Sequence, residues 1–419
     1  GPLSTAAPAD TPGEPTAILS ALMLRRIFKT FGLLLAAALL LGFLPATLGA
    51  YGPYWKRWST AFLTNPLSPA YWWYDPLERV AGRPGQPLPR AAANENPFST
   101  ETLQAASHYA GAHKSSALMV LYDGKVVLER YWDDAGPDTL TAAHSMTKSL
   151  PAMLIGHAIA DGFIESVDVS ASVFLSEWDT DGRRGISIRH LLNMASGVQE
   201  TYDFTPRSTR MQRTMGLDII TPNLEVGISH PPGQVFAHFN PNSQLLGVIV
   251  ERATGRRFSN YLAEKIWRPM GNRDGFMFAD RLGGMVHTDC CMWTAIADWA
   301  RIGEMLRLGG TFNGATILPE GWVATMTEPS AAYPNYGMQL WLGKTYEQNR
   351  RYDPSMDTFA NFHSEPFLAA DIFYLDGLGK QRVYVLPSHK LVILRVGSGD
   401  SDWDDAWLPN HFVRALDPV

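Results

Sequence analysis

The residues best suited to chemistry are Ser145 and Lys148, set in the run Ser145-Met146-Thr147-Lys148. At the start of a helix, positions i and i+3 share one face, so the lysine nitrogen can reach the serine hydroxyl. The helix N-terminus also favours negative charge developing on the serine oxygen. A free lysine, with pKa near 10.4, is neutral in only about one molecule in 2,500 at pH 7. To act as a base it must be buried or placed beside another cation, and a shift to about 7 costs roughly 4–5 kcal/mol. Given that shift, the pair could carry out nucleophilic acyl transfer through a serine ester. The tetrad alone says little, because a chain of this composition matches it by chance about half the time. It is nevertheless the one S-x-x-K in the 419 residues.

The elements around it can be read from local pattern. Ala117–Tyr122 and Lys125–Tyr131 are β-rich runs separated by Asp123-Gly124, a dipeptide that tolerates positive φ and predicts a hairpin. Ser145–Ala160 reads as a helix with Met146, Leu150, Met153, Leu154 and Ile155 on its apolar side and Gly162 beyond its end. Pro151 should bend that helix or move its start. Between about 165 and 310 the texture is of short helices and loops. Gln381–Leu386 and Leu391–Val396 flank Pro387-Ser388-His389-Lys390 as a second hairpin, and Ser401–Leu416 resembles a closing helix. Strands at both ends with helices between predict an α/β (α+β) fold. One antiparallel sheet flanked by helices would be built from both chain ends, with an all-helical subdomain over 136–310 inserted into a domain spanning 96–419. Pro84–Pro97 reads as a linker or extended arm.

With 46% apolar and 18% charged residues the chain has the composition of a globular core, and a net charge of −6 gives no case for nucleic acid. Residues 1–30 read as a disordered tail ending in a basic flank. Arg25, Arg26 and Lys29 precede an uncharged run from Phe31 to Ala50, about the length a bilayer core requires. That run is either a membrane anchor, oriented N-in by its basic flank, or a cleavable signal segment. The aromatic-rich stretch within 51–95, including Tyr51, Tyr54, Trp55, Trp58, Phe62 and Tyr71 to Tyr74, would either lie at the membrane surface or pack on the main domain. The two cysteines, Cys290 and Cys291, are adjacent, and neighbouring cysteines rarely bond each other, so no disulfide is expected. No metal site or cofactor is expected either: His144, His157 and His190 read as core or helix-surface residues, and Trp178, Trp293, Trp299 and Trp341 as core, unless one of these tryptophans lines an acyl pocket.

The stretch Ala143–Trp178 resembles serine hydrolases of the class C β-lactamase superfamily, in the branch of 6-aminohexanoate-dimer hydrolases and related esterases and peptidases. Ile186–Val198, Pro231–Gly255, Ala295–Gly310 and Gly377–Gln381 follow as further landmarks in the family's order, so that the resemblance covers about residues 95–415. It implies that Ser145 is the nucleophile and Lys148 its base. The second motif of the family reads Tyr-x-Asn, where this chain has His238-Phe239-Asn240. His238 would take over the tyrosine's proton relay, being mostly neutral at pH 7, or else it only hydrogen-bonds locally. Tyr202 is the replacement should His238 be inert, with a surface-loop role as the alternative. Asn240 would bond the lysine and the substrate amide, or serve simply as a turn residue before Pro241. At the third motif Gly377-Leu378-Gly379 stands where β-lactamases carry Lys-Thr-Gly. Lys380 should point away from that strand's active face. The glycines allow close approach to substrate, and the Leu378 amide would join that of Ser145 as an oxyanion hole.

The resemblance further implies hydrolysis of an ester, linear amide or small peptide through an acyl-enzyme, and the basic-flanked apolar run places it at a bacterial inner membrane with the catalytic domain in the periplasm. If the N-terminal segment is cleaved, the domain would be released there instead. The partners would be a small-molecule or short-peptide substrate and the membrane. Two alternatives stand beside it: a β-lactamase or D,D-peptidase, and a non-catalytic binding protein on the same scaffold. A missing third-motif lysine argues against the carboxylate of a β-lactam.

Overall fold

The computed structural model describes residues 27–37, 52–63, 74–353 and 360–416. Its central feature is a six-stranded antiparallel sheet in which the two predicted hairpins meet. In spatial order its strands are Lys125–Tyr131, Ser115–Tyr122, Leu391–Gly397, Gln381–Leu386, Phe373–Gly377 and Trp341–Leu342. The seam between the chain ends pairs Leu391 with Tyr122 and Leu394 with Met119. Asp123 (φ 48°) and Gly124 (φ 80°) make the turn of the first hairpin, the conformation that this dipeptide tolerates.

Both faces of the sheet are buried, which is why its central strands read as unbroken apolar runs. Along Ser115–Tyr122, Leu118 and Val120 point to one core, while Ala117, Met119 and Leu121 point to the other. The first core is closed by Phe98 and the helices Thr100–Ala112 and Trp407–Leu416, through Ala106, Ala110, Leu408 and Phe412. The second is closed by the helices Ile296–Arg307 and Ser149–Ala160, through Trp299, Ile302, Leu150 and Met153. Gly303 lets the first of these lie close to the strands: a Cβ there would come within 2.6 Å of methyls on Val383 and Val392. The four tryptophans read as core are all buried.

Several expectations need correction. The inserted region is not all-helical. Leu140–Ala142, Gly275–Phe278 and Trp293–Ala295 form a four-stranded sheet with Leu77–Val80, in the order 77–80, 275–278, 293–295, 140–142. Strands of three or four residues carry too little alternation to be seen in sequence. Leu77–Val80 pairs in register with Gly275–Phe278, so the domain takes in residues before 96. The proline-rich arm is docked, with hydrogen bonds from Arg83 N to Asn272 O and from Val126 N to Pro89 O. The closing helix begins at Trp407, later than expected. Cys290 and Cys291 are joined as a disulfide between sequence neighbours.

The chain divides into two units, Gly1–Lys56 and Arg57–Val419. Residues 27–37 are helical, whereas 38–50 of the expected membrane segment lie outside the described residues, as do Tyr51 and residues 71–73 of the aromatic stretch. No described helix is long and apolar enough to cross a membrane. Of the aromatic stretch, Tyr74 packs on the main domain, stacked on Phe278 at 4.5 Å with the Arg57 guanidinium 4.2 Å from its ring centre. Arg57 is itself buried, and donates to the carbonyls of Met215, Gly216 and Asp280.

Candidate active site

Pro151 moves the start of the nucleophile helix rather than bending it. The α-helix runs from Ser149 to Ala160, and His144–Lys148 before it is a 3₁₀ turn. Three residues per turn bring positions i and i+3 into eclipse, a tighter juxtaposition than an α-helix offers. Lys148 Nζ accordingly lies 3.1 Å from Ser145 Oγ. His144, just before the serine, holds φ at +47°, a strained value for a side chain of its size. The strain is held by a strap from residues 289–292. Cys291 N donates to His144 O, Ala143 N to Met292 O, and Met292 N to Thr147 Oγ1 at 2.9 Å.

Lys148 is 1% exposed. Besides Ser145 it donates to Asn240 Oδ1 at 2.9 Å and to the backbone carbonyl of Asp289. Burial lowers its pKa to about 8, against the opposing pull of the Asp289 and Asp376 carboxylates. At pH 7 about one molecule in ten would then carry a neutral Lys148, some two hundred times the fraction for a free lysine. The pair is thus arranged to pass a proton from hydroxyl to amine. Asn240 opens the helix Asn240–Thr254, with Pro241 in its first turn, where proline's missing N–H costs nothing.

Two residues earlier, His238 is held by its backbone N–H on Tyr352 O, and its ring lies 5.3 Å from that of Trp341. Burial, with Lys148 and Arg350 adding to it, pushes the imidazole well below its usual range, so it is neutral at pH 7. Among the described residues its ring makes no hydrogen bond to Ser145 or Lys148. Tyr202 is 40% exposed and lines an open cavity of about 580 Å³ with Glu200, His230, Phe239, Asn242 and Asp353. Its ring is 6.4 Å from that of Phe239, and burial raises its phenol to about 12.

At the third motif the expectation of a strand fails. The strand ends at Gly377, and Leu378-Gly379-Lys380 form the hairpin turn, with positive φ at Gly379 (80°) and Lys380 (63°). Strand alternation therefore does not govern Lys380, whose Nζ bonds Asn361 Oδ1 at 2.5 Å. Gly377 lies against the nucleophile segment so closely that a Cβ would collide with the Ala143 carbonyl. Arg395 fixes the turn, donating from Nη1 to the carbonyls of Gly379 (2.8 Å) and Lys380 (3.0 Å). Sequence reasoning passed over Arg395, although an arginine inside the apolar run Leu391–Val396 is a signal of a buried polar task. Nothing in the spacing could have flagged the Asp289 carbonyl, since any residue type can offer one.

His157 and His190 stay away from this centre. His190 accepts from Ser187 N in a capping box, and burial pushes both imidazoles down. His287, Asp289 and Cys290 bring one ligand-type atom each within 4.8 Å of one another. Their chemistry does not suit a metal, because Cys290 is in the disulfide and His287 is bonded to Tyr74 and Asp289.

An antiparallel sheet built from both chain ends, with a serine, a buried lysine and an asparagine in contact beside it, defines the penicillin-recognising class of folds. The chain belongs to the β-lactamase family, whose sequence profile matches residues 101–408. It is similar to the 6-aminohexanoate-dimer hydrolase of Paenarthrobacter ureafaciens, 25% identical over 224 residues that cover 51% of this chain and 57% of that one. It also resembles the D-aminopeptidase of Brucella anthropi, 25% identical over 184 residues, 41% of this chain and 34% of that one. The match thus spans little more than half of the first relative and a third of the second. Among solved structures, a Bacillus anthracis protein assigned as a 6-aminohexanoate-dimer hydrolase superposes with a TM-score of 0.62 at 18% identity, over 86% of this chain and 91% of that one. That likeness speaks for the fold alone.

Proposed function

We propose that this protein is a serine hydrolase that cleaves an ester, a linear amide or a small peptide through an acyl-enzyme on Ser145. Neutral Lys148 takes the proton of Ser145 as its oxygen attacks the substrate carbonyl, and the amides of Ser145 and Leu378 hold the oxyanion. Neutral His238 relays a proton to the leaving group, and Asn240 orients both Lys148 and the substrate amide. Water then releases the acyl group. The observation that carries this reading is the 3.1 Å contact between Ser145 and a lysine that burial has brought to a pKa of about 8. The named activities of the hydrolase and aminopeptidase relatives support amides as substrates.

Linear substrates are favoured over β-lactams because Lys380, the one cation in the third motif, is turned onto Asn361. The uncharged run 31–50 behind a basic flank supports a tether to a bacterial inner membrane, with this domain in the periplasm, or release there after cleavage. Fractionation with protease protection in whole cells tests that placement. The chemistry is tested by intact-mass analysis after a fluorophosphonate probe. One adduct on the wild type, absent in Ser145→Ala, is the expected result. No adduct on folded wild type would leave a scaffold without this chemistry.

A further inference from the structure

A small cavity of about 80 Å³ lies beside the edge strand Trp341–Leu342 of the large sheet, with neither Ser145 nor Lys148 in its wall. Among the side chains in that wall that are more than nine-tenths buried are Arg350, His363 and Tyr374. Each presents polar atoms with no hydrogen-bond partner, namely Nε and Nη1 of Arg350, Nδ1 of His363 and the Tyr374 hydroxyl. Such unpaired atoms are costly, and they are scattered elsewhere in the described residues, whereas four gather here. Four of them on residues that wall one cavity call for an occupant.

The chemistry of the wall selects that occupant. Arg350 presents N–H groups that can only donate, and the tyrosine hydroxyl is free to donate as well. A water molecule among such donors would have to aim its own hydrogens at one of them, whereas an anion accepts from all. Arg350 has no carboxylate to itself. Asp376 is shared with Arg382 (2.6 Å) and the Tyr352 hydroxyl, and Asp405, 3.9 Å from Arg350, is held more closely by Arg382 (2.8 Å). Two carboxylates in the outer wall oppose an anion, but both are engaged: Glu365 pairs with Arg414, and Glu347 accepts from Asn335 Nδ2 at 3.0 Å. Lys344 stands beside them. Burial holds the His363 imidazole below its usual pKa, so it enters as a neutral group. The space, about 80 Å³, suits a few waters or one small anion and is too small for a peptide.

We infer that the cavity walled by Arg350, His363 and Tyr374 binds a small monoanion, a halide or a one- to two-carbon carboxylate. Its occupant completes the fork of Arg350, whose guanidinium stacks 3.5 Å over Trp341. Trp341 in turn packs on His238, so the bound anion would stiffen the floor beneath the candidate active site.

The test uses the full chain, exchanged into gluconate, an anion too large for the cavity. Chloride, bromide or formate is titrated at constant ionic strength while the melting temperature is followed, and crystals are soaked in bromide for anomalous diffraction. The expected result is a bromide peak within hydrogen-bonding reach of Arg350 and Tyr374, with a saturable rise in Tm of a few degrees. Tyr374→Phe, which preserves shape, should move the titration midpoint by about tenfold or more. Arg350→Lys, which keeps the charge and loses the fork, should do the same. No peak in the cavity overturns the inference. So does a peak without saturable stabilisation, an adventitious ion only, and so does an equal response in both variants and the wild type.

Discussion

Arg395 holds the turn of the third motif by its backbone, with Nη1 2.8 Å from Gly379 O and 3.0 Å from Lys380 O. The same guanidinium reaches His113 O, Ser398 O and Ser115 Oγ, so it ties that turn to the start of the sheet's second strand. In the proposed mechanism the turn aims the Leu378 amide at the oxyanion. Arg395→Lys keeps the charge and loses the fork. We expect kcat to fall by roughly 10²-fold, the scale of a lost oxyanion donor, while KM changes by less than about threefold. A fall in Tm with kcat unchanged would confine Arg395 to a structural role.

Gly377 makes a second, steric prediction. Its α-carbon faces the Ala143 carbonyl with no room for a methyl group, and that carbonyl belongs to the turn that carries Ser145. Gly377→Ala must push the two segments apart, which should cost about 1–3 kcal/mol of stability. Activity should drop further than stability, because a misplacement of about 1 Å at reacting groups can cost about 100-fold. Chemical denaturation and steady-state kinetics on the same preparation separate the two effects.

The depressed pKa of Lys148 predicts a pH signature. If neutral Lys148 is the base, kcat/KM rises with pH through about 8, and Lys148→Met removes the limb along with the activity. Stability carries the same sign. The unfolded chain binds this proton up to about 10.4, whereas the folded chain releases it near 8. Between these values the unfolded state binds more protons, so folding gains stability as pH rises. For a fully buried group this amounts to about 3 kcal/mol across the window, as an order of magnitude. Urea melts of wild type and Lys148→Met between pH 7 and 11 should show the wild type gaining relative to the variant. Parallel curves would mean that Lys148 is not held at a depressed pKa.

Much of this was legible because local signals were strong. Asp123-Gly124 and the two C-terminal apolar runs gave the hairpins, and Pro151 signalled either a bend or a later start in the helix, of which the later start is found. The four-stranded sheet was hidden because Gly275–Phe278 and Trp293–Ala295 are short and buried on both faces. The Ser145–Lys148 contact could be anticipated from the i, i+3 spacing, whereas the place of Asn240 beside them was implied only by the family resemblance. The carbonyl of Asp289 and the cavity around Arg350 could not. They depend on which distant segments come together, and backbone atoms leave no trace in residue type. Arg395 did leave one, as a charge inside an apolar run, but nothing in the sequence says which carbonyls it holds. The third motif went astray because strand alternation was extended past Gly377, where two positive φ angles turn the chain.

His238 gives the last test. Its ring is neutral and packed against Trp341, and among the described residues no hydrogen bond joins it to Ser145 or Lys148. Catalytic hydrogen bonds are often completed only when substrate arrives, so a relay through the bound leaving group is compatible with this geometry. Ser145→Ala sets the scale, with an expected loss of about 10⁶ in turnover. If His238 is the relay, His238→Ala should cost roughly 10²–10⁴ in kcat and slow adduct formation by the fluorophosphonate. A histidine that merely packs on Trp341 would instead lower Tm and leave the labelling rate near that of the wild type. A loss below about tenfold in kcat removes His238 from the mechanism. In that case Tyr202 becomes the group to replace, and Tyr202→Phe should show the deficit that His238→Ala did not.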